Sequence, residues 1–259
     1  MEIITRALDR IPAGSGLLLL GEYGSSAHGV SLDNSDFDYM GIAVEPRNVI
    51  FGLSSYEQTL LKPEGAVSGE RTQEGESEGI VYALRKFVKL AEQGNTAIMS
   101  ALYLPKYVHM TELGELLVAH RDLFYSKQVL LRFAGHLESE RLRMTGEKGA
   151  KVLRPELVDK YGYDTKAAYQ ALKLAFHGLR FAKERRITIP FPKYEIDYIL
   201  SVRRGENSAE DVREVLIEYI QEIDRIREND DFIPERPERE KLEDLMEEIY
   251  TSFYFEENN

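Results

Sequence analysis

The residues with the most chemistry in them lie in one stretch, Gly24-Ser25-Ser26-Ala27-His28-Gly29-Val30-Ser31-Leu32-Asp33-Asn34-Ser35-Asp36-Phe37-Asp38. An apolar run, Leu17 to Leu20, leads into Gly24-Ser25. A Gly-Ser turn that opens a short helix exposes backbone N–H groups, and the serine hydroxyl adds a donor, so the turn suits a phosphate. Asp36 and Asp38 are separated by one residue at the start of the next apolar run. Period-2 geometry points both carboxylates to one face of a strand, while Phe37 turns the other way, into the core. Two carboxylates at that spacing repel and raise each other's pKa unless a cation lies between them. Mg²⁺ takes oxygen ligands and keeps phosphate and water in its shell, so a phosphate-binding turn beside the pair is coherent. Each half alone has a plainer reading: Gly-Ser is common, and Asp-x-Asp is usual in solvated turns.

Such residues need a sheet to hold them. Residues 16–20 read as a buried strand, and residues 37–44 as a second, closed by Glu45-Pro46; Asn48-Val49-Ile50-Phe51 reads as a short extension. Residues 77–84 read two ways. Ile80 and Val81 suit a short strand, whereas Tyr82 to Gln93 has helical spacing and ends at Gly94-Asn95, as at a left-handed C-cap. From about residue 111 to 186 the pattern is helical: Leu113, Leu116 and Leu117 share a face, as do Val129, Leu130, Leu131 and Phe133. A link over residues 141–154 precedes a helix over residues 167–183, for which Asp164 can serve as N-cap. After the breaker run Ile189-Pro190-Phe191-Pro192 come helices over about 209–228 and 237–250, with a loop over 231–237 between them. The expected class is α+β, a small mixed sheet followed by a helical C-terminal region, divided at about residue 110.

Composition supports a folded chain. Its 259 residues are 43% hydrophobic and 30% charged, which excludes a mostly disordered or collagen-like protein. No apolar run reaches membrane-spanning length, the first ten residues do not resemble a secretory signal, and there is no cysteine for a disulfide, a thiolate metal site or a Cys nucleophile. A soluble cytoplasmic protein without membrane partners is expected. The formal charge of −12 is uneven: residues 206–259 hold 19 acids against 6 bases, and the remainder is nearly neutral. The acidic segment repels phosphate backbones and argues against nonspecific nucleic-acid binding by the whole chain. The link over residues 141–154 is the opposite, with Arg141, Arg143, Lys148, Lys151 and Arg154 against Glu147 alone. With Arg180, Lys183, Arg185 and Arg186 it can form a track for an RNA end, or pair with the acidic helices.

The combination of strand, Gly-Ser turn, short helix and Ser-Asp-x-Asp leading into a strand resembles the nucleotidyltransferases of the DNA polymerase β superfamily. More closely, Gly24-Ser25-x-Ala27-x-Gly29 followed by Ser35-Asp36-x-Asp38-Tyr39-x-Gly41 resembles the predicted nucleotidyltransferase family associated with RNA repair. Leu84-Arg85-Lys86-Phe87, Gly94-Asn95, Tyr161-Gly162-Tyr163-Asp164-Thr165-Lys166, Arg204-Gly205-Glu206 and Ile233-Pro234-Glu235-x-Pro237 resemble its other elements. The resemblance implies a catalytic core over residues 1–110 and a helical domain over 111–259 that completes the nucleotide and acceptor site. It implies that Asp36 and Asp38 bind Mg²⁺ or Mn²⁺ and that Gly24 and Ser25 hold the phosphates of an NTP. A third carboxylate falls on Glu78, with Glu74 and Glu76 as rivals, as metal ligand and base for the attacking hydroxyl. Lys166 would neutralise triphosphate charge. Gln170 and Lys173 stand where the family tends to have His and Arg, and Ser100 where an acid is common; Lys173 can bind phosphate as a point charge, but Gln170 cannot transfer protons. His28 can approach a phosphate or serve the turn, and Tyr161 and Tyr163 can stack a base or belong to a loop. The implied activity is metal-dependent transfer of an NMP to an acceptor hydroxyl with release of pyrophosphate, the acceptor being an RNA end. Nucleotidylation of a protein hydroxyl and a non-catalytic nucleotide-binding regulator are the alternatives.

Overall fold

The computed structural model describes residues 2–31, 37–63 and 77–256. The chain packs as two compact units. The first comprises Met1–Gln93, Ala97–Leu123 and Glu238–Asn259, and the second Gly94–Thr96 with Phe124–Pro237.

The first unit is built on a five-stranded mixed sheet. Its elements are α1 (Glu2–Arg10), β1 (Gly16–Tyr23), α2 (Gly24–His28), β2 (Phe37–Val44), α3 (Arg47–Ile50), β3 (Gln58–Leu61), β4 (Ser77–Ala83), α4 (Leu84–Glu92), α5 (Thr96–Met99), β5 (Tyr107–Met110) and α6 (Glu112–Ala119). The strand order is β3-β4-β2-β1-β5. The pair β2–β4 is parallel, and every other neighbouring pair is antiparallel. Ile3, Ala7 and Ile11, spaced by four, form the buried stripe of α1 and its C-terminal exit, and they pack on Leu17, Leu20, Ala43, Leu61 and Val81 of the sheet. Each Ile, Leu or Val side chain of this set contributes about 1.5–3 kcal/mol on burial.

The second unit is helical: α7 (Lys127–Thr145), α8 (Pro155–Tyr161), α9 (Thr165–Glu184), α10 (Lys193–Arg203) and α11 (Ala209–Asn229). Leu130, Phe133, Leu137, Leu172, Phe181, Leu216 and Ile223 are buried in it. Ser126, Asp164 and Ser208 cap α7, α9 and α11 with their side-chain oxygens, as expected of such residues at N-cap positions. The last helix, α12 (Arg239–Thr251), returns to the first unit. The chain leaves that unit after Leu123 and re-enters at Glu238, whose N–H donates to the Leu123 carbonyl at 3.1 Å.

Glu45, at the end of β2, anchors the return. It is 2% exposed; Oε1 accepts the Arg85 N–H at 3.1 Å, Oε2 accepts the Tyr250 hydroxyl at 2.8 Å, and the Tyr254 hydroxyl donates to its backbone carbonyl. The N-cap residue of α4, Ala83, has no side chain to bond the free amides, and the Glu45 carboxylate does so in its place.

The fold is therefore the α+β arrangement expected, a mixed sheet with flanking helices followed by a long helical region. Several local expectations are corrected. Residues 47–50 form the helical turn α3 rather than a strand extension, because Pro46 sits at the N-cap and starts the turn. Tyr82 belongs to β4, and the helix begins at Leu84. Arg141 and Arg143 lie in the last turns of α7, so the basic link is half helix. Phe37 is 46% exposed instead of buried, since the core cluster under α1 extends along β2 only as far as Tyr39. Strand β3 and helix α10 were not anticipated.

Candidate active site

Gly24 adopts φ +74°, a conformation that disfavours residues with a Cβ, and any Cβ there would fall 2.0 Å from Asp38 Oδ2. Both the turn geometry and the close approach of the carboxylate thus need glycine. The turn is closed at its far end by Gly29, whose N–H bonds Ser26, while the Val30 N–H bonds the Ser25 carbonyl at 3.0 Å. His28 is 3% exposed and its Nδ1 bonds the Gly24 carbonyl, so it serves the turn from within. Ser25 is half-buried at the start of α2.

The sheet register assembles the rest. Tyr23 stands opposite Asp38 in the β1–β2 pair, and Asp38 opposite Glu78 in the parallel β2–β4 pair. Residues directly opposite on neighbouring strands share a face, so Tyr23, Asp38 and Glu78 form a row on the side of the sheet away from α1. Asp38 and Glu78 are both half-buried. Burial pushes the Tyr23 hydroxyl above its ordinary pKa, and the charges of Asp38 and Tyr82 act in the same direction. The Ser100 hydroxyl, hydrogen-bonded to Tyr23, donates its proton to the Ala97 carbonyl at 2.5 Å. Tyr23 therefore supplies the donor of the Tyr23–Ser100 bond. The sequence does not point to Tyr23, because only the register brings it opposite Asp38, and it marks Ser100 only as standing where the resembled family commonly has an acid.

Asp36, Glu74 and Glu76 lie outside the described residues. Among the described residues no group of three or more His, Asp or Glu forms a metal-binding cluster. The donors present nevertheless suit Mg²⁺: two carboxylates side by side on one sheet face, against a glycine that leaves space at the carboxylate.

The other candidates belong to the second unit. Asp164 Oδ1 accepts the N–H groups of Lys166 and Ala167 at 2.9 and 3.0 Å, which makes Asp164 the expected N-cap. Lys173 Nζ lies 5.3 Å from the centre of the Tyr169 ring. Tyr163 is fully buried with its hydroxyl on the Asn207 carbonyl at 3.0 Å, and so presents no face to a base. The basic residues are largely consumed by carboxylates. Arg141 bonds Glu138 and Glu147, Arg143 bonds Glu140, Arg180 bonds Glu195, Lys183 bonds Glu222 of the acidic α11, and Arg186 bonds Glu184.

A fold of this kind, with a Gly-Ser turn between β1 and α2 and carboxylates on β2 and β4, is that of a nucleotidyltransferase. The chain belongs to RlaP, the RNA repair pathway DNA polymerase beta family, which it matches over residues 1–248. A comparison with curated proteins finds no match. Among solved structures it is similar to the spectinomycin adenyltransferase AAD(9) from Enterococcus faecialis, crystallised with ATP and spectinomycin, at 16% identity over 86% of this chain and 98% of that one, with a TM-score of 0.44. A nucleotidyltransferase-like protein from Exiguobacterium sibiricum is similar at 9% identity over 88% of this chain and 72% of that one, with a TM-score of 0.31. No helix of the described residues is long and apolar enough to cross a membrane.

Proposed function

We propose that this protein transfers an NMP from an NTP to an acceptor hydroxyl. The observation that carries the reading is the alignment of Asp38 with Glu78 on adjacent strands beside Gly24. In this reading Asp36, Asp38 and Glu78 hold Mg²⁺ or Mn²⁺, which when bound neutralises triphosphate charge and lowers the pKa of the attacking hydroxyl. The N–H groups of the α2 turn and the Ser25 hydroxyl receive the β- and γ-phosphates. The acceptor oxygen forms a bond to the α-phosphorus, the bond to the bridging oxygen breaks, and pyrophosphate leaves. Glu78 takes the hydroxyl proton. Lys166 and Lys173 contribute positive charge toward the nucleotide.

The family's description supports an RNA end as acceptor. Pairing of Arg141 and Arg143 with carboxylates favours a second reading, a protein or small-molecule hydroxyl, because these two bases of the link are already engaged and less ready to follow a phosphate backbone. The test is incubation with each of the four α-labelled NTPs, Mg²⁺ or Mn²⁺, and total RNA plus cell protein. Label in RNA or protein with wild type but not with Asp38→Ala supports transfer and identifies the acceptor class. NTP binding without label under any donor indicates a non-catalytic regulator.

A further inference from the structure

The arginine that follows β2 in the first unit sits among aromatic rings. Arg47 Cζ lies 5.5 Å from the centres of the Phe51 and Tyr254 rings and 5.3 Å from that of Phe255. Its Nη1 donates to the Tyr254 carbonyl at 3.5 Å, and among the described residues it forms no ion pair. Arg141, Arg143, Arg180 and Arg186, by contrast, each bond a carboxylate. Beside the rings opens a cavity of about 460 Å³, whose wall includes Gly14, Pro46, Arg47, Asn48, Phe253 and Tyr254. Among the described residues no acid lines it, in a chain with a net charge of −12, so the guanidinium is the charge it presents.

The walls are built in advance. The Phe253 ring fills the space that a side chain at Gly16 would need. The Tyr254 hydroxyl donates to the Glu45 carbonyl, and Tyr250, stacked parallel to Tyr254, donates to the Glu45 carboxylate. Yet Phe51 remains 62% exposed and Phe255 55%. Rings that only fastened the end of the chain would be covered, whereas these keep more than half their surface in water. A guanidinium whose face meets rings keeps its edge N–H groups for an oxyanion, and exposed rings offer flat faces on which a base can stack.

We propose that this aromatic group around Arg47 is a stacking platform for single-stranded RNA, with a base on Phe51 or Phe255 and a phosphate on the guanidinium. Openness decides between an RNA strand and a free nucleotide: a small-ligand site buries most of its ligand, whereas these rings face outward, as on surfaces that bind successive bases. Stacking also suits a chain whose other arginines are largely paired with carboxylates, because it needs no second cation. The assignment rests on the RNA acceptor of the transferase reading. Asp38 and Val44 stand at opposite ends of β2, roughly 20 Å apart along the strand, so the platform holds the RNA away from its reacting end.

Fluorescence anisotropy with a labelled single-stranded RNA of about twelve nucleotides tests it, in chelator so that no cation joins RNA to the carboxylates. The proteins are wild type, Phe51→Ala, Phe255→Ala, Arg47→Gln and Asp38→Asn, each over a salt series. We expect each phenylalanine substitution to weaken binding by about tenfold without changing the salt slope, and Arg47→Gln to weaken it and lower the slope by about 0.7. The same RNA annealed to its complement, with its bases already stacked, should bind wild type and Phe51→Ala equally. Phe51 and Phe255 are exposed, so their variants keep the fold and decide even if Arg47→Gln does not. Unchanged RNA affinity in both overturns the platform, and so does a loss confined to an acid-rich peptide, which would make the patch a protein-docking surface. If the variants lose RNA while wild type transfers nucleotide to no RNA, the RNA acceptor falls and the platform stands. If Asp38→Asn abolishes transfer while the phenylalanine variants hold RNA normally, the transferase reading stands and the platform falls.

Discussion

Gly24 and Asp38 touch across the β1–β2 pair so closely that the carboxylate occupies the space a side chain at position 24 would need, 2.0 Å from the Cβ position. Substitution Gly24→Ala therefore meets two penalties, a left-handed backbone and a displaced carboxylate. The backbone penalty alone is about 1–2 kcal/mol. Chemical denaturation should show at least that loss, and nucleotide transfer should fall much further than stability. Full activity in Gly24→Ala would refute the role given to this contact.

The pairing of Asp38 with Glu78 makes the third carboxylate testable against its neighbours. Glu78→Gln should reduce the transfer rate by roughly a hundredfold or more at unchanged stability, since a ligand to the reaction's cation is lost. Glu74→Gln and Glu76→Gln should stay near wild type. Single-turnover assays at saturating NTP separate the three, and a larger effect at either rival would move the assignment.

Alkaline pH probes the burial of Tyr163 in the second unit. Burial pushes the Tyr163 hydroxyl up to about 12 from an ordinary 10.0. Below pH 10 both folded and unfolded states keep the proton, so the group makes no difference there. From pH 10 to about 12 the unfolded state loses it and the folded state does not, so stability falls as pH rises, by about 1.4 kcal/mol per unit for this one group. Tyr163→Phe should flatten the fall in melting temperature over that window. An unchanged slope would mean that Tyr163 ionises normally in the folded protein.

Salt dependence reports how many bases reach an RNA. With Arg141, Arg143, Arg180 and Lys183 engaged by carboxylates, the slope of log K against log salt for RNA binding should be shallow, about −1 to −3. A slope of about −5 or steeper would show that these pairs open to admit phosphates.

What the sequence makes legible depends on how local the signal is. The turn from Gly24 into β2 is readable because its glycine, serine and alternating apolar residues act over a few positions. The N-cap Asp164 is readable for the same reason. Strand β3 is only Gln-Thr-Leu-Leu, at the edge of the sheet, and owes its state to its pairing with β4, which no local pattern reports. Helix α10 begins directly after Pro190 and Pro192, and that breaker run hides it, although Pro192 merely occupies the N-cap. Phe37 follows the two-residue alternation of its strand and still faces water, because alternation sets a direction and not what covers it. Arg203 donates to the Thr165 hydroxyl, a partner 38 positions earlier and beyond any spacing rule.

The return of α12 to the first unit has a consequence for biosynthesis. Glu45 leaves the ribosome early, while Tyr250 and Tyr254, which donate to its carboxylate and carbonyl, are made only after all of α7 to α11. A nascent chain must therefore carry a buried-type carboxylate without these donors throughout synthesis of the second unit. The first unit completes its packing only after the second has been made, so premature termination between residues 123 and 238 yields a chain lacking the part of the first unit that α12 supplies.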